Sequence, residues 1–248
     1  MRVTFLGTGS AMPTGDRNQT GLLLDAGDDT LLVDCGSGVL GALAGTVTGY
    51  EAVDTVLLTH HHLDHVSDLL ALLKARWLAG EEHLTVVGPE GTESLLDGLL
   101  GVHEYLQGRV DLSVREVAAG SFSVAGFDVE AAETVHSMDC LAYRFSHADA
   151  DGDFCFSGDS EATEPVAALA DGAAVLAHDC SFPDEVDVSN HPTPRALGEV
   201  LAGRDIGELY LTHLYPHTDG KHVEMTESIR ANFEGDVRVA DDGLTVEV

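Results

Sequence analysis

Lysine is nearly missing from this chain: only Lys74 and Lys221 stand among 12 basic residues, against 43 Asp plus Glu, for a formal net charge of −31. The acidic residues are dispersed and form no tail, so they describe the surface of a folded protein. Such a surface suits a cytoplasm at molar salt, where self-repulsion is screened over roughly 3 Å. The balance points to a halophilic, salt-adapted cell; the other reading is an acidic protein that binds cations or basic partners. Also missing is any run of about 18 uninterrupted apolar residues, and "MRVTFLGTGS" enters a strand directly. A membrane span is thereby excluded, and nothing resembles a signal peptide, so a cytoplasmic location is expected. The four cysteines, Cys35, Cys140, Cys155 and Cys180, include no C-x-x-C pair, and are expected reduced and buried. Aromatics are scarce at 6%, whereas 27 glycines argue for a loop-rich alternation of strands and helices over a helical bundle.

With 44% hydrophobic residues, the 248 positions suffice for one large core, and residues 1–248 read as a single domain without linker or repeat. "RVTFLGTGS", "DTLLVDCGSG", "DTVLLTH", "FDVEAAETVHS", "DFCFSGDS" and "ELYLTHL" read as strands, the second ending at Asp34 and Gly36 and the next four at His60, His136, Asp159 and His213. Between them, "VSDLLALLKARWLAG", "GTESLLDGLLGVHEYL", "TEPVAALADG" and "TPRALGEVLAG" have helical spacing. Gly80 stops the first of these, and Thr193 with Pro194 starts the last. The alternation runs through both halves with a seam near Gly120, which predicts an α/β fold of two face-to-face sheets with helices outside.

At the end of one strand stands "THHHLDH", with four histidines in six residues and Asp64 among them. A solvated loop or tag does not follow a buried strand in this way. Neutral imidazole is the commonest transition-metal ligand, and carboxylate is a frequent companion. His60 and His62 can converge on one ion; Asp64 and His65 point elsewhere and suit a second; His61 should face away. Adding the later strand-end residues gives His60, His62, Asp64, His65, His136, Asp159 and His213. Five imidazoles and two carboxylates are about what two divalent zinc ions need if each keeps a position open for water. The same ligands accept manganese or iron.

"THHHLDH" matches the T-H-x-H-x-D-H signature of the metallo-β-lactamase superfamily, and His136, Asp159 and His213 follow in that superfamily's order. The resemblance implies a metallo-β-lactamase αββα four-layer sandwich. It places His60, His62 and His136 on one zinc and Asp64, His65 and His213 on the other, with Asp159 between them. "FLGTGSAMPTGDRN" and "LTVVGPEGTESLL" are similar to stretches of ribonuclease Z, which removes 3′ trailers from precursor tRNA. "LAHDCSF" and "NHPTPRA" resemble that family's H-E-A-T-F and H-S-T elements, and carry His178, Asp179 and His191 into matching places. Two departures are the replacement of Glu by Asp at Asp179 and of Ser by Pro at Pro192. "LLVDCGSGVL" lacks the usual G-T-Q ending. A fourth departure is length: His136 and Asp159 are 23 positions apart, which leaves no room for the long arm with which ribonuclease Z grips the tRNA elbow. These features resemble a short form of the family.

The function expected from the resemblance is a dinuclear zinc-dependent hydrolase, a phosphodiesterase or endoribonuclease of the ribonuclease Z type. Its substrate would be a phosphodiester, precursor tRNA or other RNA among them. Two zinc ions lower the pKa of a shared water from 15.7 toward about 7. Asp64 would orient the resulting nucleophile; His191, held by Asp179, would protonate the leaving group. His178 is either a contact to these groups or a structural histidine, and Arg17 either a phosphate contact or a turn residue. The alternative is hydrolysis of a thioester, lactone or carboxylic ester at the same centre, chemistry with less need of a separate acid. A −31 surface repels RNA in dilute buffer, but molar salt screens that repulsion. Relatives of ribonuclease Z are commonly dimers, which implies a homodimer, though no stripe in the sequence marks an interface.

Overall fold

In the strand Gly21–Ala26, Leu22 and Leu24 enter one buried cluster while Leu23 enters another. The same period of two sends Leu31 and Val33 to one side and Leu32 to the other, and separates Phe154 and Phe156 from Cys155. Strands that bury both faces must lie inside a layered structure.

The computed structural model describes residues 1–186 and 188–248. Its strands are β1 (Arg2–Gly7), β2 (Gly21–Ala26), β3 (Asp29–Val33), β4 (Thr55–Leu57), β5 (His83–Gly88), β6 (Asp111–Glu116), β7 (Gly120–Val124), β8 (Phe127–Glu133), β9 (Leu141–Ser146), β10 (Phe154–Phe156), β11 (Val175–Asp179), β12 (Glu208–Thr212), β13 (Asp236–Val239) and β14 (Thr245–Glu247). The helices are α1 (Val39–Ala44), α2 (Leu63–Val66), α3 (Leu69–Ala79), α4 (Thr92–Val102), α5 (Glu164–Ala170), α6 (Pro194–Val200) and α7 (His222–Arg230).

Two seven-stranded sheets result, ordered β14-β1-β2-β3-β4-β5-β6 and β13-β12-β11-β10-β9-β8-β7. Each begins as an antiparallel meander and continues as parallel strands joined through helices, from β3 to β6 and from β10 to β13. The expected seam near Gly120 falls between β6 and β7, except that β14 returns to pair with β1. Three apolar clusters define four layers. Phe5, Leu22, Val33, Phe127, Phe145 and Phe156 fill the space between the sheets. Leu32, Val56, Leu69 and Leu73 join the first sheet to its helices, and Leu176, Leu211, Leu197 and Ile229 join the second. Each fully buried Phe or Leu contributes about 1.5–3 kcal/mol. The protein has the four-layer αββα architecture that the sequence motif implies.

Two expectations are corrected. The helix expected from Val66 onward starts only at Leu69 as α3, while Val66 ends the separate turn α2; between them the Asp68 carboxylate accepts the Gly38 and Leu40 amides at the start of α1. The strands also stop before the residues that were read as their last ones: β4 ends at Leu57, β8 at Glu133, β10 at Phe156 and β12 at Thr212. His60, His136, Asp159 and His213 therefore sit on loops, freed from ladder hydrogen bonds, and His213 adopts a positive φ of 57° that no strand allows. The helix limits agree better: Gly80 stops α3 in the left-handed region at φ 94°, and Thr193 caps α6 through Ala196 N.

Candidate metal centre

Beyond β4 the backbone leaves the sheet, and a side chain takes over from the ladder: the Asp34 carboxylate accepts the Thr59 amide at 2.8 Å and the Thr59 hydroxyl at 2.8 Å. This fixes the turn that delivers His60. The chain then enters α2, a single turn that starts after His62 and carries Asp64 and His65 buried on its inner side. His61 faces the other way, with Nε2 2.8 Å from Thr92 Oγ1.

β8, β10 and β12 all run toward the same edge, so the loops after them bring His136, Asp159 and His213 to this turn. Two groups form. In one, His62 Nδ1 lies 3.0 Å from both His60 Nε2 and His136 Nε2, and Asp159 Oδ2 is 3.7 Å from the latter two nitrogens. In the other, His213 Nε2 is 3.2 Å from Asp64 Oδ2, and His65 Nε2 is 3.9 Å from the same oxygen. Asp159 faces this group as well, at 3.3 Å from both His65 Nε2 and His213 Nε2.

The outer nitrogens of these rings are held in turn. Thr59 Oγ1 gives its proton to Asp34, so it accepts one from His60 Nδ1 at 3.0 Å. His65 Nδ1 donates to Asp34 Oδ2 at 2.7 Å, and His136 Nδ1 to the Asn190 carbonyl at 3.2 Å. Ser181 Oγ donates to Asp179 Oδ1 at 2.6 Å and therefore accepts from His213 Nδ1 at 2.9 Å. Each pairing leaves the Nε2 lone pair turned inward, the orientation a metal ligand needs. The buried His65 Nε2 and Asp159 Oδ1 have no hydrogen-bond partner. Converging lone pairs and orphaned buried atoms fit divalent cations of the zinc type.

Charge divides the histidines. Burial, then the neighbouring His65, drives the His60 imidazolium well below its usual range. Burial opposes protonation of His65 too, but the Asp159 and Asp34 carboxylates outweigh it and raise that ring's pKa. Burial would raise Asp159, yet His213 and His65 hold its carboxyl well below the usual range.

His191 stands beside the second group, its ring stacked 5.5 Å from that of His213 and edge-on to that of His136 at 5.4 Å. Its Nδ1 contacts Asp179 Oδ2 at 2.7 Å. Burial lowers the His191 pKa, but Asp179 more than compensates and brings it to about 9. Asp179 is within reach of the centre but not available to it: its oxygens receive Ser160 N, Ser181 N, Ser181 Oγ and His191.

His178, one residue earlier on β11, does not join: its Nδ1 is held at 2.8 Å by the Asp179 carbonyl. Arg17 is a turn residue, its guanidinium bound to Thr8 Oγ1, the Ala240 carbonyl and Asp241. The four cysteines are buried and unpaired. Sequence reasoning assigned no role to Asp34, Thr59, Ser181 or Asn190, or to Cys140, whose Sγ lies 3.6 Å from His60 Nδ1. Only Asp34 left a signal, as a strand-end acid.

A family model described as "Anti-Pycsar protein Apyc1" matches residues 1–201. A ribonuclease Z of Mycobacterium sp. (strain KMS) is 30% identical over 276 residues, spanning 100% of this chain and 96% of the relative. The chain belongs to this family, in the ribonuclease Z-like branch of the metallo-β-lactamase hydrolases. It is a metal-dependent hydrolase. The probable metallo-hydrolase YhfI of Bacillus subtilis (strain 168) is 29% identical over 254 residues, covering 100% of both chains. The crystal structure of that metallo-β-lactamase fold protein superposes with a TM-score of 0.84 at 26% identity, over 100% of this chain and 99% of that one. Human tRNase Z, short form (ELAC1), shares the fold, with a TM-score of 0.77 at 20% identity over 100% and 99% of the two chains. Among the described residues no helix is long and apolar enough to cross a membrane.

Proposed function

We propose that this hydrolase is a phosphodiesterase of the ribonuclease Z type that works with two divalent ions, zinc by the nitrogen-rich donor set. His60, His62, His136 and Asp159 would hold one ion, and Asp64, His65 and His213 the other, with Asp159, 3.3 Å from the latter two rings, shared between them. When bound, such ions acidify water and neutralise charge on a phosphoryl oxygen. The protein's own groups do the rest. Asp64 orients the nucleophile through its free oxygen. His191 donates a proton to the departing alkoxide, and Asp179 fixes the ring and keeps it charged.

The observation that carries this reading is the His191 Nδ1 to Asp179 Oδ2 contact of 2.7 Å beside the centre. A phosphodiester expels a poor alkoxide leaving group and needs such a donor, whereas esters and thioesters need it less. The short link from His136 to Asp159, folded as β9 and β10, favours small or single-stranded diesters over substrates that require a protruding arm.

The test is cleavage of a 3′-extended precursor tRNA in molar KCl with zinc or manganese, beside bis(p-nitrophenyl) phosphate and a thioester, with Asp159→Ala as the blank. Cleavage at the discriminator base would establish a tRNA-processing nuclease. Hydrolysis of the small diester alone would establish a phosphodiesterase for small substrates. Activity on the thioester alone would overturn the reading.

A further inference from the structure

On the His191 side of the centre an aromatic shelf begins. Phe182 and Tyr215 stack with centroids 4.6 Å apart and an interplanar angle of 26°, and His217 packs 5.3 Å from Phe182. Tyr215 also meets His191 at 5.9 Å and His213 at 5.8 Å, both edge-on. Exposure rises outward along the shelf: Phe182 is buried, Tyr215 half-buried and His217 exposed. A packing satellite of the core would bury all three.

The backbone under Tyr215 is pinned. Its amide bonds to the Ser181 carbonyl at 3.3 Å, and its carbonyl accepts the Thr218 amide at 3.0 Å and the Thr218 hydroxyl at 2.8 Å. The phenol, by contrast, makes no hydrogen bond with any of the described residues. A rigidly presented ring with an unused hydroxyl, at the rim of a reaction centre, has the form of a recognition surface.

We propose that Tyr215, backed by Phe182 and rimmed by His217, is a specificity-determining platform on which a nucleobase of the substrate stacks, on the leaving-group side beside His191. This deepens, and rests on, the phosphodiesterase reading above: it makes the substrate a nucleotidyl diester. Stacking also suits the rest of the molecule. The arginine that the sequence offered for phosphate contact, Arg17, is committed to Thr8, Ala240 and Asp241, and Lys221 is paired with Glu185 and Glu224. Every base has a π-face, and base stacking does not depend on the ionic attraction that salt screens.

The probes are adenosine 5′-monophosphate and ribose 5-phosphate, titrated calorimetrically into the metal-loaded protein. The wild type should bind the nucleotide more tightly than the sugar phosphate by about 5- to 150-fold, the range of one base–aromatic stack. Tyr215→Leu should bring that ratio close to one and leave ribose 5-phosphate affinity within about twofold, while Tyr215→Phe keeps the preference. Equal affinities in the wild type, or an unchanged ratio in a folded Tyr215→Leu, would overturn the platform. Should Tyr215→Leu not fold, the wild type still decides: adenine protons must show magnetisation transfer with the Tyr215 ring, and its absence is equally fatal. Hydrolysis of bis(p-nitrophenyl) phosphate by the same preparations reports on the reaction alone. No diester cleavage with the nucleotide preference intact would remove the phosphodiesterase reading and leave the platform standing.

Discussion

The buried carboxylate of Asp34 accepts the Nδ1 proton of His65 at 2.7 Å while it holds the Thr59 amide and hydroxyl at 2.8 Å. One acid therefore sets the tautomer of His65 directly and that of His60 through Thr59. Asp34 itself sits at a positive φ of 59°, a conformation few residues other than Gly, Asn and Asp adopt readily. Replacing Asp34 by Asn keeps the shape but can present an amide N–H to His65, which turns the proton, and the lone pair, the wrong way. Asp34→Asn should weaken metal affinity by about 10- to 100-fold, the usual effect of losing the group behind a ligand. Competition with a chromophoric chelator measures it; unchanged affinity would dismiss Asp34 from the centre.

Among the described residues Asp159 is the one whose carboxylate faces both groups, with Oδ2 3.7 Å from His60 Nε2 and Oδ1 3.3 Å from His65 Nε2. Its removal should disturb both groups together. Asp159→Ala is expected to lose metal as well as activity, read by elemental analysis after gel filtration. Full occupancy in that variant would refute the shared role.

Much of this arrangement was legible in the sequence because its signals are local. The period of two in "FDVEAA" reports burial on one face, and "THHHLDH" places four imidazoles on one turn whatever surrounds it. The helix limits at Gly80 and Thr193 were local as well. What escaped depends on juxtaposition. Asp34 gains its partners only when β3 lies beside β4, and Ser181 only when β11 lies beside β12. The overlong strands have the same origin: the apolar pattern continues through Leu58 and Thr59, but Asp34 captures the Thr59 amide that a ladder would have used. Arg17 looks like a free cation in sequence because its partners, Ala240 and Asp241, lie near the other end of the chain.

His191 offers a prediction that separates the chemical step from metal binding. Its Nδ1 is occupied by Asp179, so Nε2 is the atom left to carry the transferred proton. His191→Ala should keep the metal and lose on the order of 10² to 10⁴ in kcat on a ribonucleotide diester. With bis(p-nitrophenyl) phosphate, whose leaving group departs as a stabilised anion, the loss should be much smaller. An equal loss on both substrates would mean that the residue acts by position, and wild-type turnover on both would take it out of the mechanism.

Two glycines should respond to the same substitution with opposite sign. A Cβ on Gly36 would stand 2.0 Å from the carbonyl oxygen of Asp64 and 2.7 Å from Gln19 Cβ, so the loop after β3 and the turn of α2 can approach each other only over a hydrogen atom. The contact is with backbone, which cannot swing aside as a side chain would. Gly36→Ala should destabilise the fold by about 1–3 kcal/mol, the range for overpacking. It should also weaken metal binding, because the displaced strand of chain carries Asp64. Gly41, in contrast, lies within α1 and has nothing within 4 Å of its would-be Cβ. There the change only removes backbone freedom from the unfolded chain and raises helix propensity, so Gly41→Ala should stabilise by about 0.5–1 kcal/mol. Urea titration of both variants in high salt gives the two signs, and a metal titration of Gly36→Ala alongside it tells whether the loss reaches the centre. A stable Gly36→Ala with wild-type metal affinity would mean that the two loops are looser than this close approach requires.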